Sequence, residues 1–278
     1  MVRAQAGLVI SFERSELFAH VESQLQQAIE SASHFVDHEN GLADSDNHSS
    51  PARIFLAGRQ ALFWGQFDSA FHLFLNAWEL AKQEACREYR WKSCLAAARA
   101  CRASQNPALA RQYEQLGLSA FHESLSDHLQ FPPPADILLV RIEQRHAGAM
   151  SSNVWNGWSI QQLKRLLDRC SNDDSRGRIE QLLAEKESGL HRLKWQSASL
   201  SSFLRAGNYS GILTIVEQMV EQMLSEREWD ISCRLLQQAE QLAQMIGLER
   251  CRDQYRNWGT RLNRSLRVLK SIARIEAN

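Results

Sequence analysis

Between Pro51 and Gln83 the order Gly65-x-Phe67-x-x-Ala70-x-x-x-Phe74-x-x-Ala77-x-x-x-Ala81 sets small and aromatic side chains at three- and four-residue steps, which is one face of an α-helix. Ala57 and Gly58 put two very small side chains on the segment before it. Small residues at facing positions let two helix backbones approach closely. The stretch therefore predicts a helical hairpin, Pro51 to Trp64 and Phe67 to Cys86, with its turn through Gly65 and Gln66.

The rest of the chain agrees with a helical fold. Only five of 278 residues are proline, and three of these are consecutive at Pro132 to Pro134, which leaves long tracts rich in Leu, Ala, Gln, Glu and Arg. Leu17, Phe18, Val21, Leu25, Ile29, Ala32 and Val36 recur at helical steps and predict an amphipathic helix from Ser15 to Val36, followed by a polar loop or linker from Asp37 to Ser50. Beyond the hairpin a helix is expected over Glu88 to Ala103. Asn106 then caps another, with Pro107 at a first position where its missing amide costs nothing. A shift of 40 residues brings Ala57-Gly58-Arg59 onto Ala97-Ala98-Arg99, Ala70 onto Ala110 and Ala77 onto Gly117, an internal repeat.

A boundary is expected between Ser124 and Pro134, where three prolines end helical structure. A short helix is expected over Ala135 to Ala147, and a loop with Trp155 over Gly148 to Gly157. Ser159 and Gln162 have capping-box spacing for a helix to Cys170. A long helix should follow, capped by Asn172, Asp173 and Asp174, with Ile179, Leu183, Leu190, Leu193, Leu200 and Leu204 in near-heptad rhythm. Tyr209 opens the next. Trp229, Ser232, Leu236, Ala239 and Ala243 repeat the aromatic-small-large-Ala-Ala order of the first hairpin. The last helix, Leu248 to Ile275, carries an apolar stripe of Cys251, Tyr255, Trp258, Leu262, Leu266, Leu269 and Ile272.

The Gly65 to Ala81 spacing, with Ala57 and Gly58 before it, resembles the tetratricopeptide repeat, with one good unit at 51–83 and degraded units elsewhere; the 40-residue shift exceeds that family's usual period of about 34. The expected fold is all-α, a tetratricopeptide-like array of helical hairpins (an α-solenoid) of about ten helices. Its expected parts are an N-terminal helix and linker (1–50), repeat-like hairpins (51–125), and a C-terminal helical subdomain with a repeat-like hairpin and a terminal basic helix (135–278).

Charge and motif content narrow the function. Lys plus Arg and Asp plus Glu both count 32, so the whole chain has no electrostatic case for DNA or an anionic membrane. The charge is polarised, with eight acids against two bases in residues 1–50 and eight bases against three acids in 249–278. Six cysteines form no CxxC pair, and most are expected to be small core residues. His34 and His38 lie four apart but have no third ligand set by sequence, so no metal and no cofactor is expected. There is no phosphate-cradling glycine loop, Gly-x-Ser-x-Gly elbow or His-Glu-x-x-His, and the chain is read as no enzyme. The N-terminal apolar run, Gly7 to Phe12, is too short for a signal peptide or a membrane span, and the expected location is cytoplasmic. Of the eight tryptophans, Trp64, Trp78, Trp195, Trp229 and Trp258 have core or hairpin-contact spacing, while Trp155 and Trp158 either plug a subdomain junction or anchor a partner.

The expected function is a scaffold or regulatory adaptor that binds a protein or acidic peptide. What the resemblance implies is that the first helix of each hairpin lines a groove, so that Arg59 and Arg99 point into it. Lys92 and Arg102 extend a basic strip, and Phe55 and Phe63 supply apolar surface. Arginine's planar fork holds a carboxylate by two hydrogen bonds. One alternative is a nucleic-acid-associated regulator using Arg261, Arg264, Arg267, Lys270 and Arg274 on the side of the last helix opposite its apolar stripe. Another is an enzyme whose site carries no recognised motif.

Overall fold

The computed structural model describes residues 2–39, 50–125, 158–170 and 172–276, with side chains over 13–33, 50–124, 158–170 and 172–268. Among these residues are eleven helices and no strand: α1 (Val2–Glu39), α2 (Pro51–Phe63), α3 (Phe67–Gln83), α4 (Arg87–Ala103), α5 (Pro107–Leu125), α6 (Ile160–Leu167), α7 (Asp173–Lys186), α8 (Gly189–Ala206), α9 (Tyr209–Ser225), α10 (Trp229–Met245) and α11 (Glu249–Glu276). Successive helices pack in adjacent pairs, the all-α array expected. The chain divides into two compact units, a middle unit of residues 45–176 and a terminal unit that joins 1–44 to 177–278. α1 belongs to the terminal unit because it packs on α8 and α10.

One backbone device joins the helices of both units. A residue with positive φ follows the helix end at Gly65, Ala85 and Gln105 in the middle unit and at Gly207, Arg227 and Gly247 in the terminal unit, 20 residues apart within each set. In each turn the next amide reaches back to the carbonyl five residues earlier, as from Gln66 to Ala61 and Glu228 to Met223, both at 2.8 Å. The pattern satisfies carbonyls that a helix end leaves bare. Seventeen-residue helices, as in α3, α4, α9 and α10, plus a three-residue link account for the 20-residue step. Two such steps make the 40-residue repeat read in the sequence.

In the middle unit Ala70, Phe74, Ala77 and Ala81 of α3 are wholly buried, and the Phe74 ring lies where any side chain on Gly58 would stand, 2.7 Å from the position of its Cβ. Gly58 is thus the socket for Phe74. In the same way Leu95 lies against Gly117, which brings α4 onto α5. In the terminal unit Phe203 is held between Gly177 and Gly211. The backbone of α7 comes close enough to α8 there for the Ser199 hydroxyl to donate to the Gly177 carbonyl at 2.8 Å.

Several expectations change. α1 starts at Val2 rather than Ser15, since Glu13 interrupts an apolar run without interrupting a helix. The single long helix after Asn172 is two, broken where Ser188 is extended and Gly189 takes a φ of 54°. Only Trp64 of the five tryptophans assigned to core spacing is buried; Trp78, Trp195, Trp229 and Trp258 are half-buried. The capping box at Ser159 and Gln162 forms as read. The expected helix over Ala135 to Ala147, the loop with Trp155, all but residues 124 and 125 of the boundary expected between Ser124 and Pro134, and 40–49 of the expected linker lie outside the described residues.

Candidate functional site

The α2–α4 face carries the residues singled out for a groove, and α2 packs directly beside α4. Phe55 joins the helices, with its ring 5.5 Å from both Phe74 and Tyr89. Arg59 and Arg99, aligned by the 40-residue shift, converge on one ring, their guanidinium carbons 5.2 and 5.6 Å from the centroid of Phe63. Arg99 already grips a carboxylate. Its Nη2 donates to Oδ1 of Asp174 at 3.0 Å and its Nη1 to Oδ2, a two-point pair in which Asp174, in the first turn of α7, is buried. Lys92 pairs with Glu88 one turn away and lies 5.6 Å from the ring centroids of Tyr89 and Trp91.

Arg102 leaves this strip. It turns to α5, where its Nε donates to Glu114 at 2.6 Å. The Glu114 side chain is only 2% exposed, and a buried carboxylate requires such a countercharge. Leu56, on the outer side of α2, is 57% exposed.

A second face is already occupied. In the terminal unit α1 lies along α8 and α10, burying Phe18, Val21, Leu25, Ala28, Ile29 and Ala32. Charges flank the stripe: Glu13 pairs with Lys194 on α8, Glu22 with Arg234 on α10, and Arg14 with Glu226. Gln24 donates to Ser201, and Gln238 donates to the Glu22 carbonyl at 3.3 Å. Each large apolar side chain buried contributes about 1.5–3 kcal/mol. A surface ion pair adds about 0–1 kcal/mol. The stripe therefore holds α1, and the charges select its register. The sequence showed the stripe but not its seat, because the receiving surface includes Ser201 and Gln238, which carry no apolar signal.

On α11 the expected stripe packs through Tyr255 and Leu262, which are buried, while Arg261, Arg264 and Arg267 are exposed; the side chains of Lys270 and Arg274 lie outside the described residues. The Tyr255 hydroxyl donates to Glu217 of α9 at 2.7 Å, and both its burial and that carboxylate push the phenol's pKa upward. Two of the six cysteines, Cys94 and Cys101, are buried and the other four are half-buried. Burial pushes the Cys94 thiol up to about 12, against the opposing pull of Lys82, so it is a packing residue rather than a nucleophile. Trp158 is half-buried.

Among the described residues no three His, Cys, Asp or Glu side chains gather to hold a metal, and no helix is long and apolar enough to cross a membrane. The side chains of His34 and His38 are outside that set. Comparison with family models, with curated proteins and with solved structures finds no match for this chain.

Proposed function

We propose that the protein is a non-enzymatic scaffold or adaptor, built on tetratricopeptide-like hairpins, that holds a peptide or partner protein against the faces of its helical array. The observation that carries this reading is the seat of α1: the array holds a helix by an apolar stripe flanked by ion pairs, the two means by which partner segments are also held. For an acidic peptide the α2–α4 face is the proposed site, with Arg59 and Lys92 as the carboxylate-reading residues and Phe55, packed on Tyr89, as apolar surface between the helices. The Arg99–Asp174 pair supports the chemistry, since an arginine on this face holds a carboxylate with two nitrogens.

The test is a fluorescence anisotropy screen of the full chain against acidic peptides with free C-terminal carboxylates, at two salt concentrations. Binding should weaken with salt and fall at least about tenfold, or about 1.4 kcal/mol, in the Arg59→Ala/Lys92→Ala double variant. Equal affinity and equal salt dependence in both proteins would remove the α2–α4 site. Arg99 is left in place because its pair with buried Asp174 contributes to the fold.

The exposed Arg261, Arg264 and Arg267 favour a second reading, an anionic partner such as nucleic acid on α11. Salt-sensitive binding of a mixed-sequence DNA or RNA oligonucleotide that is lost in the triple Ala variant would support it, and no retention at low salt would dismiss it.

A further inference from the structure

α1 is held in the terminal unit by a stripe and by charges, yet one polar side chain in that contact is poorly met. Gln24 is only 7% exposed. Its amide nitrogen donates to Ser201 of α8 and lies 3.0 Å from Nε2 of His20, whereas its carbonyl oxygen, sealed from solvent, has no donor among the described residues. Turning the amide over is no remedy. The Ser201 hydroxyl gives its proton to the Ser197 carbonyl at 3.0 Å, so towards Gln24 it only accepts, and a flipped amide would leave its NH2 buried instead. Gln238 repeats the pattern from α10: its nitrogen donates to the Glu22 carbonyl, and its buried oxygen has no donor among the described residues.

A buried acceptor without a donor has lost its bonds to water and gained none, so each of these oxygens weakens the hold on α1. An apolar side chain of the same length at position 24 would remove one of them. It would leave Ser201 satisfied, since that proton is already placed. The rest of the surface selects for a helix of defined pattern. Phe18, Val21, Leu25 and Ile29 set the apolar stripe, Lys194 and Arg234 each call for an acid, and Glu226 calls for a base. The surface therefore fits a helix with this pattern and an apolar residue at position 24 better than it fits α1 itself.

We infer that the α8–α10 surface is a binding site with α1 as its built-in competitor, and that its occupant is an amphipathic helix of a partner protein, with α1's order of charges and an apolar residue in place of Gln24. The inference rests on the adaptor reading and adds to it a second site, distinct from the α2–α4 face, together with the helix that keeps it closed. The exchange balances. The stripe and the three ion pairs lost with α1 are remade by the incoming helix, and the Gln24 carbonyl returns to water. Only the difference between the two helices drives the displacement.

The probe is a fluorescent peptide of residues 13–33 with Gln24→Met, titrated into the full chain and followed by anisotropy. It should bind saturably, more weakly as salt rises, and about fivefold or more tighter than the same peptide with Gln24, the effect of one unmet buried acceptor. Because α1 must leave first, Leu25→Ala in the full chain should tighten binding at least about tenfold. Should circular dichroism show that variant to be perturbed, Arg234→Glu, at an exposed arginine, replaces it: that chain should bind a Glu22→Arg version of the probe more tightly than the wild-type chain does. No saturable binding to either chain, equal affinity of wild type and Leu25→Ala, or no preference of the Glu22→Arg probe for Arg234→Glu would overturn the inference. Equal or tighter binding of the peptide with Gln24 would overturn the partner helix in favour of α1 from a second copy. Arg59→Ala/Lys92→Ala should leave the probe's affinity unchanged, so the α2–α4 site stands or fails on its own screen.

Discussion

The middle and terminal units turn their chains by the same left-handed joint at the same 20-residue interval, yet fill the space between helices with side chains of different size. On α4 the buried face is Cys94, Ala97 and Cys101; at the corresponding positions of α9 it is Val216, Met219 and Met223. Between these helices one unit uses small residues and the other large aliphatic ones, while both seat an aromatic ring against glycine, Phe74 at Gly58 and Phe203 at Gly177 and Gly211. Elsewhere the difference runs in the opposite sense: Phe71, Trp78 and Tyr113 are half-buried on α3 and α5, whereas Leu193, Leu200 and Leu235, 122 residues further on, are buried on α8 and α10. What recurs is the joint and the helix length. Side-chain size is free to vary so long as each interface is filled.

This contrast implies its own tests. The largest effect should come from the seat of α1. Leu25 is wholly buried, so Leu25→Ala should lower stability by about 2–5 kcal/mol in urea unfolding. Leu116→Ala, at a side chain of α5 that is 45% exposed, should change it by less than about 0.5 kcal/mol. Comparable losses at the two positions would mean that burial does not set the cost.

Next come the glycine sockets. A methyl group on Gly58 would stand 2.7 Å from Phe74, and one on Gly177 equally close to Phe203. Gly58→Ala and Gly177→Ala should each destabilise by about 1–3 kcal/mol. Gly259, which has the open space that Gly58 lacks, serves as the control; Gly259→Ala should be neutral or slightly stabilising because Ala is the better helix former. A neutral Gly58→Ala would contradict the socket.

Smaller changes are expected at the joints. Ala85, Gln105 and Arg227 hold φ values of 54°, 62° and 64°, a conformation that strains a residue with a Cβ. Replacing each by Gly should raise stability by about 0.5–1 kcal/mol, and Gly207→Ala should lower it by about 1 kcal/mol. Thermal unfolding of the four variants reads both signs, and a loss at Arg227→Gly would break the claim that all six joints are equivalent.

The smallest expected effect is kinetic. Cys94, buried and with its thiol pushed up to about 12, should resist alkylation in the native state, whereas half-buried Cys86 and Cys233 should react first. Mass spectrometry of briefly alkylated protein orders them.

What could be read from the residues was mostly local. The Gly65 to Ala81 spacing encoded the first hairpin because small side chains at helical steps have few other uses, and Ser159 with Gln162 encoded a cap through one hydrogen-bonded ring. The break at Ser188–Gly189 was hidden because Leu183, Leu190 and Leu193 keep helical rhythm across it. The joints at Ala85, Gln105 and Arg227 were equally hidden, since none of these is a residue type that marks a left-handed turn. For the site, the 40-residue shift brought Arg59 and Arg99 together, and they do meet at Phe63. That Asp174 is the carboxylate on Arg99 required the fold, because the two residues are far apart in sequence. Trp78 had core spacing in the sequence yet is half-buried, because spacing marks a helix face and not how deeply that face is covered.

The claim that a buried apolar stripe seats α1 on α8 and α10 is tested most directly by hydrogen–deuterium exchange of the full chain and of its Leu25→Ala variant. Amides of α1, α8 and α10 should lose protection together in the variant, while α3 (Phe67–Gln83) and α5 (Pro107–Leu125) keep theirs. Loss of protection spread equally over α3 and α5, or unchanged exchange in α1, would contradict it.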